Sequence, residues 1–473
     1  MRLVAVALTL AAAAGVAVTA RQARAPGADC GDLRADGVRC VAVVVPENRV
    51  TGRGRTITLR VAVLPALGDE RLADPVFFLA GGPGQAATDF LRDPGLATDP
   101  LRRGRDFVFL DQRGTGKSNP LMCDFYPAED YARAEFADFM PPARVNACRA
   151  ALEPVADLSQ YTTAASVADL EDVRKALGYE RINLAGGSYG TRLAMEYVRA
   201  HERRVRTVML DGAVPPSLRM PDGFGRAAQQ ALDGIVAECA ASAACAKAFP
   251  NLRTEARAVF ARLAAGPVKV RLSGVATEVA MTRDNVAEAI RYMTYSSRNA
   301  GRVPLLLHRA HGGDFTGIAE FLRRYRHPGT FEALYLSITC TEDVPFLPAD
   351  AAARDEQTYL GSYRVRQQQA ACREWPRGAV PSSHGTPVRS AVPVLITTGR
   401  LDPVTPPGFG DLVAESLTDA LHVKVPSGAH GLYGLDGLEC LDRIKLDFLN
   451  RATTAGLDTG CVKGIKRGEF ATR

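Results

Sequence analysis

Short apolar runs alternate with longer stretches of helical periodicity along most of the chain. The short runs have the length and composition of buried strands, and they are Pro75–Leu79, Phe107–Leu110, Ile182–Ala185, Arg206–Asp211, Val392–Thr398 and Leu421–Val425. After the third run, apolar residues recur at the spacing of one helix face, at Leu193, Ala194, Tyr197 and Val198. Apolar strands that alternate with helices are typical of a mostly parallel sheet with helices on both faces. The pattern predicts an α/β fold.

One predicted strand-to-helix junction carries a serine between glycines. The segment Gly186-Gly-Ser188-Tyr-Gly190 follows the apolar run that ends at Ala185. Because glycine has no Cβ, Gly186 and Gly190 allow a sharp turn and a close approach of helix to strand. This geometry exposes a serine hydroxyl at a helix N-terminus, as in a nucleophile elbow. The alternative is a glycine-rich turn with an incidental serine, because short motifs also occur by chance.

A serine nucleophile needs a histidine base and a carboxylate that orients the histidine. Asp402 follows the run Val392–Thr398 on a proline-rich loop, and His430 follows Leu421–Val425 on a loop of small residues. The order Ser188, Asp402, His430 is that of the catalytic triad of α/β-hydrolases. Taken singly, Asp402 is also explained as a turn cap and His430 as an ordinary loop histidine. Three ordered matches at strand ends favour the triad.

A glycine-rich loop after an earlier strand supplies a fourth part of the predicted site. The run Pro75–Leu79 leads into Ala80-Gly-Gly82-Pro-Gly84. Acyl transfer needs backbone amides that stabilise the oxyanion, conventionally one from the residue after the nucleophile and one from such a loop. We therefore predict that the amides of Tyr189 and Gly82 form the oxyanion hole. The alternative is a simple Gly-Pro turn.

Together these motifs resemble those of the proline iminopeptidase and secreted tripeptidyl aminopeptidase (TAP-like) group of α/β-hydrolases. The segments that carry the resemblance are Gly81-Gly-Pro-Gly84, Asp111-Gln-Arg-Gly114, Gly186-Gly-Ser-Tyr-Gly190, Asp402-Pro-Val-Thr-Pro406 and the end of the chain with Cys440 and Cys461. The resemblance implies a serine exopeptidase that removes residues or short peptides from a free N-terminus. Its partners would be peptide substrates, and it would need no cofactor and no metal. Ala80 departs from the pattern, because many iminopeptidases have histidine there.

An aminopeptidase must bind the ammonium group of its substrate, and the resemblance implies acidic residues on or beside a cap domain. Glu342 and Asp343 lie shortly after Cys340 in such a region. We predict that these two residues bind the substrate N-terminus, because a desolvated contact between ammonium and carboxylate contributes strongly to discrimination. The alternative is a solvated acidic turn before Pro345.

The length of the chain suits one large core with one insertion. We predict a first part of the hydrolase core over residues 26–214, a helical cap over residues 215–388 and a second part of the core over residues 389–473. The cap prediction rests on helical patterns at Asp222–Ala248, Glu255–Ala264, Asp284–Tyr295 and Pro304–His311. A cap would shape the pocket and exclude water. A separate interaction domain is the alternative.

The N-terminus has the pattern of an export signal. Arg2 precedes an apolar stretch that ends in small residues, so cleavage is predicted after Ala20 or as late as residue 25. Residues 1–20 are short for a membrane span, although a retained anchor is the alternative. We predict a protein exported to the periplasm or the extracellular space, without stable membrane association.

The ten cysteines support export, because an even number can pair fully in an oxidising compartment. Sequence alone does not determine the connectivity, and the spacing suggests that neighbours pair. The predicted pairs are Cys30 with Cys40, Cys123 with Cys148, Cys239 with Cys245, Cys340 with Cys372, and Cys440 with Cys461. Free buried cysteines are the alternative.

Charge and short motifs argue against several other functions. The net charge of +6 is dispersed, without a basic stripe that has interleaved aromatic residues, so we predict no nucleic-acid partner. Gly116-Lys-Ser118 is not a phosphate-binding loop, because Asp111 stands where that motif needs glycine. We expect Asp111 and Arg113 to pair near the site instead. His308 and His311 lack the glutamate of a zinc-protease helix.

Two alternative functions would use the same scaffold. A secreted carboxylesterase would need the triad without an ammonium anchor, and a catalytically silent binding protein would need neither. The intact triad argues against the second, and Glu342 with Asp343 argues against the first. One sequence determines neither the released unit nor the oligomeric state.

Overall fold

The computed structural model describes residues 27–28, 30–31, 33, 37–123, 125, 136–275, 278–325 and 331–473, and the predicted signal segment lies outside these ranges. The strands are β1 (Gly27–Ala28), β2 (Arg39–Pro46), β3 (Thr56–Leu64), β4 (Val76–Leu79), β5 (Phe107–Leu110), β6 (Ile182–Gly187), β7 (Val205–Asp211), β8 (Val268–Val270), β9 (Val279–Met281), β10 (Val394–Gly399), β11 (Ala420–Val425), β12 (Leu435–Asp436) and β13 (Lys466–Arg467). The helices are α1 (Pro142–Leu152), α2 (Thr163–Leu177), α3 (Tyr189–His201), α4 (Phe224–Ala241), α5 (Ala243–Ala248), α6 (Leu252–Ala264), α7 (Arg283–Met293), α8 (Ser297–Ala300), α9 (Val303–His311), α10 (Thr316–Tyr325), α11 (Glu332–Glu342), α12 (Ala351–Asp355), α13 (Tyr363–Ala371), α14 (Pro407–Ala414) and α15 (Glu439–Arg451).

A nine-stranded sheet forms the centre of the fold, in the order β1-β2-β3-β5-β4-β6-β7-β10-β11. Strands β1, β2 and β3 pair in antiparallel fashion, and β3 joins β5 in the same way. All pairs from β5 to β11 are parallel. The mostly parallel sheet predicted from the apolar runs is confirmed.

Helices cover both faces of the sheet because its central strands are apolar on both sides. Strands β5 and β10 are buried at every position. One face packs against α2 and α3 through residues such as Leu170 and Leu193. The other face packs against α15 through Ile444 and Phe448. Burial on both faces is characteristic of parallel sheets.

A mainly helical insertion, called the cap here, lies between β7 and β10. It holds helices α4 to α13, and its apolar residues form a cluster that includes Ile235, Val259, Ile290 and Leu307. Helices α4 to α7 and α9 lie close to the four predicted patterns, whereas α8 and α10 to α13 lie outside them. Strands β8 and β9 add a small antiparallel hairpin, which the helical patterns do not predict.

Disulfides cross-link both the core and the cap. The bonded pairs are Cys30 with Cys40, Cys123 with Cys148, Cys239 with Cys245, Cys340 with Cys372, and Cys440 with Cys461. These are the pairs that the spacing suggests, and such a set is typical of proteins in oxidising compartments. Across the described residues, no helix is both long enough and apolar enough to cross a membrane.

Candidate active site

Ser188 lies at the tight turn between β6 and α3. Its backbone has a φ of 52° and a ψ of −122°, which L residues adopt rarely and at a cost in conformational energy. A Cβ on Gly186 would lie 2.6 Å from the carbonyl oxygen of Gly190, and a Cβ on Gly190 would overlap the carbonyl oxygen of Leu79. Both positions therefore require glycine. The turn has the geometry of a nucleophile elbow.

Asp402 and His430 lie at the ends of the neighbouring parallel strands β10 and β11. His430 Nδ1 donates to Asp402 Oδ2 at 2.8 Å. Asp402 is only 2% exposed, and its Oδ1 accepts the backbone amides of Val404 and Thr405 at 2.8 Å each. The aspartate therefore caps a turn and also holds the histidine. The turn cap and the triad carboxylate, given as alternatives for Asp402, are both present. With Nδ1 as donor, Nε2 is left to act as the base.

Thr405 belongs to this hydrogen-bond network and is not among the site residues predicted from the sequence. Its Oγ1 donates to Asp402 Oδ2 at 2.7 Å and lies 3.1 Å from His430 Nδ1. The signal was local, because hydroxyl and carboxylate side chains a few residues apart commonly bond within a turn. Thr405 thus helps to hold the carboxylate and the imidazole together.

We expect Thr405→Val to lower kcat by about 10- to 100-fold, because a hydrogen bond to a charged group contributes about 1.5–3 kcal/mol. Steady-state kinetics on a substrate whose cleavage depends on Ser188 measures this effect. Thr405→Ser is the matched control, because it keeps the hydroxyl and should retain most of the activity. Equal rates for the valine and serine variants would contradict the role assigned to the hydroxyl.

Ser188 and His430 both lie beside residues 211–212, at the carboxyl edge of the sheet. The Ser188 amide donates to the carbonyl of Asp211 at 2.9 Å, and the next residue, Gly212, has a φ of 65°. A Cβ on Gly212 would lie 3.3 Å from His430 Cε1 and 2.8 Å from Thr405 Oγ1. Glycine at this position lets the imidazole approach the serine. Within the described residues, Ser188 Oγ is not hydrogen-bonded to His430, and catalytic bonds of this kind often tighten only when substrate binds.

The predicted oxyanion loop lies against the nucleophile. A Cβ on Gly81 would lie 3.1 Å from Ser188 Cβ, and Gly82 has a φ of 106°, which favours glycine. The amides of Gly82 and Tyr189 have no hydrogen-bond acceptor among the residues that the structure describes. Two amides without an acceptor beside the serine are suited to bind an oxyanion.

Glu342 and Asp343 lie at the end of α11 and have internal partners. Asp343 is fully buried, and its two oxygens accept from the Arg192 guanidinium at 3.0 and 3.2 Å. Glu342 is also buried and accepts from the amide and the hydroxyl of Thr163, each at 2.6 Å. The same hydroxyl lies 2.8 Å from the Tyr189 hydroxyl.

These contacts change the interpretation of the acidic pair. Because both carboxylates are buried, the alternative of a solvated acidic turn is wrong. Asp343 is already bound by a guanidinium and has no exposed surface, so the geometry favours a structural role over ammonium binding. Through Thr163 and Arg192, the pair ties the cap to helices α2 and α3.

Burial raises the pKa of Glu342 from 4.5 to about 7, against the opposing effects of Arg192 and Thr163. A carboxyl group with a higher pKa in the folded protein stabilises the fold while it is protonated. Stability should therefore fall as the pH rises from 4.5 to about 7. Glu342→Gln removes this titration, so its urea midpoint should change less over that interval. If the urea midpoints of the wild type and of Glu342→Gln change by the same amount over this pH interval, Glu342 does not titrate in this way.

The expected pairing of Asp111 with Arg113 is wrong. Asp111 accepts from the amide and hydroxyl of Thr88 at 2.9 and 3.0 Å. Arg113 donates to both oxygens of Asp169 at 2.6 and 2.8 Å, and to the carbonyl of Gln160 at 2.8 Å. A fully buried guanidinium has five donors, so a single neighbouring carboxylate could not satisfy it.

His308 and His311 have different surroundings in the cap. His308 Nδ1 lies 2.9 Å from Glu255 Oε2, and His311 is exposed. In the ranges of the chain that are described, His, Cys, Asp and Glu side chains form no group of three or more that is placed to hold a metal ion.

Comparisons with known proteins cover both parts of the core. The family model described as alpha/beta hydrolase fold matches residues 74–254, and the model described as TAP-like protein matches residues 357–461. The second match begins within the segment predicted as the cap. Serine protease Hip1 of Mycobacterium tuberculosis is 24% identical over 472 residues, which cover 90% of this chain and 87% of that protein.

Two further relatives match shorter parts of the chain. Tripeptidyl aminopeptidase of Streptomyces lividans is 30% identical over 229 residues, or 43% of this chain and 42% of that protein. Proline iminopeptidase of Neisseria gonorrhoeae is 33% identical over 138 residues, or 29% of this chain and 32% of that protein. The chain has the α/β-hydrolase fold, and its resemblance to the proline iminopeptidase and tripeptidyl aminopeptidase group is confirmed.

Proposed function

We propose that this chain is an exported serine aminopeptidase that hydrolyses peptide bonds near a free N-terminus. The observation that carries the proposal is the hydrogen bond of His430 to the buried Asp402, at the sheet edge where Ser188 occupies a strained turn. These are the parts that nucleophilic acyl transfer needs. The relatives named as a serine protease, a tripeptidyl aminopeptidase and a proline iminopeptidase support peptides over esters as substrates.

In the proposed reaction, His430 accepts the proton of Ser188 Oγ while that oxygen attacks the scissile carbonyl. Asp402 holds Nδ1 and stabilises the imidazolium that forms. The amides of Gly82 and Tyr189 bind the oxyanion of the tetrahedral intermediate. His430 then gives its proton to the leaving amine, and a water molecule activated by the same histidine releases the acyl group from the serine.

Export is part of this proposal. Five disulfides would persist in an oxidising compartment, and residues 1–20 have the composition of a signal peptide. The periplasm and the extracellular space both fit these features. Sequencing of the secreted protein should give an N-terminus between residues 21 and 26, and recovery of only the uncleaved chain in the cytoplasm would contradict export.

A substrate panel tests the proposed activity. The mature protein is assayed with free and acetylated amides of proline and of tripeptides, and with short-chain nitrophenyl esters. We expect cleavage of the free-amine peptides and little cleavage of the acetylated forms, because acetylation removes the ammonium charge. The fragment that is released then identifies the unit removed per cycle.

The same panel separates the alternatives. Each substrate is also tested on Ser188→Ala, so that only turnover lost in this variant is assigned to the site. Ester cleavage without peptide cleavage would identify a carboxylesterase. No turnover on any substrate would favour a binding protein with a hydrolase fold.

A further inference from the structure

A turn of the cap is hydrogen-bonded to the loop that carries His430. The histidine loop comprises residues 426–434, between β11 and β12, and the cap turn comprises residues 295–298, between α7 and the first residues of α8. A parallel bridge joins Ser296 to Gly431. The Arg298 amide donates to the carbonyl of Tyr433 at 3.1 Å, which extends the contact along the loop.

The cap turn bonds to both sequence neighbours of His430. On one side, the Ala429 amide donates to Ser297 Oγ at 3.0 Å. On the other side, the Gly431 amide donates to the carbonyl of Tyr295 at 2.6 Å. Alanine and glycine contribute little packing of their own, so these two bonds fix the backbone on either side of the histidine.

Tyr295 also contacts the imidazole through its ring. The ring centroids of Tyr295 and His430 are 5.1 Å apart with an interplanar angle of 72°, a favourable edge-to-face arrangement. The contacts of His430 with Asp402 and Thr405 both lie at Nδ1, so they would by themselves let the imidazole pivot about that atom. A further contact from the tyrosine ring limits the pivot and so determines where Nε2 points.

The tyrosine ring is itself held in place within the cap. Arg291 Nη2 donates to the Tyr295 hydroxyl at 2.7 Å, and the Arg291 guanidinium lies 5.2 Å from the centre of the same ring. Arg291 is almost fully buried and packs over the ring of Phe224 at 4.8 Å. The position of Tyr295 is therefore set by the packing of α7 and α4 inside the cap.

A second connection supports the same loop. Ser427 Oγ donates to Glu238 Oε1 at 2.9 Å, and Arg467 donates to Glu238 Oε2 at 2.9 Å. Arg467 also donates to the carbonyl of Ser297 at 3.2 Å. Helix α4, the cap turn and the C-terminal strand β13 thus meet at the histidine loop.

We infer that Tyr295 of the cap is a positioning residue for His430, which orients the imidazole toward Ser188 through its ring and through the bond from its carbonyl to the Gly431 amide. The cap then takes part in organising the base as well as covering the site. The inference rests on the proposed role of Ser188 and His430. The inference concerns the orientation of the base and not the choice of substrate, because the contacts involve only residues of the protein.

Kinetics with two types of reagent test this role. One is the best peptide of the substrate panel, which gives kcat and KM. The other is a small organophosphonate fluoride, whose rate of reaction with Ser188 depends on the serine and its base and hardly on the peptide-binding pocket. Thermal unfolding is measured for each variant, so that loss of fold is recognised.

We expect Tyr295→Leu to lower both kcat and the phosphonylation rate by about 100-fold with little change in KM, because small displacements of catalytic groups have effects of this size. Tyr295→Phe keeps the ring and should retain more of both rates. Phe260→Leu is the matched control, because Phe260 is a partly buried aromatic residue of the cap whose ring packs on Tyr359. It should leave both rates unchanged.

Several results would overturn the inference. A higher KM with an unchanged phosphonylation rate would make Tyr295 a substrate contact, and unchanged rates in Tyr295→Leu would remove any role. If Tyr295→Leu does not fold, Tyr295→Met decides instead, because the flexible methionine side chain fills space and lacks the ring: a lower phosphonylation rate with a similar KM supports positioning, and an unchanged rate overturns it. Failure of the wild-type protein to react at Ser188 would overturn the triad itself, whereas normal wild-type labelling with an unaffected Tyr295→Leu overturns this inference alone.

Discussion

Ser188→Ala is expected to reduce kcat by about a millionfold, the size of loss seen when a triad serine is removed from a serine protease. The alanine variant keeps the oxyanion amides and the Asp402–His430 pair, but it has no oxygen that can form the acyl-enzyme. Substrate binding should remain close to that of the wild type, because the hydroxyl is a small part of the pocket. Kinetics on the free-amine peptides and an inhibition constant for a product peptide measure the two effects separately.

Ser382→Ala is the control for this prediction, because Ser382 is an exposed serine of the same protein. It should behave as the wild type. Residual activity of Ser188→Ala within about tenfold of the wild type would mean that another group attacks the substrate, and it would contradict the triad. Melting temperatures of the three proteins should agree closely, because Ser188 makes few stabilising contacts through its side chain.

Asp402→Asn is expected to reduce kcat by about 10⁴-fold, as in other triads where the carboxylate becomes an amide. Asparagine has nearly the same shape and can still accept the amides of Val404 and Thr405. Its NH₂ group, however, would face His430 Nδ1 and favour the tautomer that carries its proton on Nε2. That tautomer cannot take the proton of Ser188, so the loss should appear in kcat with little change in stability.

A matched comparison isolates the carboxylate. Asp411→Asn changes another aspartate that bonds a histidine, His422 Nδ1 at 2.8 Å, but at a half-exposed position outside the site. Activity of this variant should stay near the wild-type level. A similar small effect for Asp402→Asn and Asp411→Asn would show that Asp402 does not orient the base.

The placement of Ser188, Asp402 and His430 was predictable from the sequence because each of these residues is marked by local constraints. Gly186 and Gly190 reveal the sharp turn at Ser188, since any Cβ there would collide with backbone atoms. Asp402 and His430 directly follow strands that read as buried apolar runs. In a parallel sheet, residues that follow neighbouring strands come together at one edge, so the three residues converge without further information.

The acidic residues of the cap were harder to interpret because their partners are distant in sequence. Glu342 bonds Thr163, and Asp343 bonds Arg192. Whether an acid faces a pocket or a buried guanidinium depends on how the cap lies on the core, which no local pattern encodes. The ring contact of Tyr295 with His430 was not predicted for the same reason, because it depends on how the cap lies on the core.

Two predictions were incomplete or wrong even though the residues involved lie close together in the sequence. Thr405 lies three residues after Asp402, within reach of the same carboxylate, and its hydroxyl completes the network at His430. Asp111 and Arg113 lie close in sequence, yet each is satisfied by other elements because a buried guanidinium needs several acceptors. Closeness in the chain would have indicated the Thr405 contact, whereas it was misleading for the ion pair.

The most direct test of the account is to locate the nucleophile. The mature protein is treated with an organophosphonate fluoride and digested with trypsin, which should release Ile182–Arg192, a peptide in which Ser188 is the only serine. We predict one adduct, on Ser188, that forms at a greatly reduced rate in His430→Ala. An adduct on another residue, or no adduct on a protein that still cleaves its peptide substrate, would contradict the proposed triad.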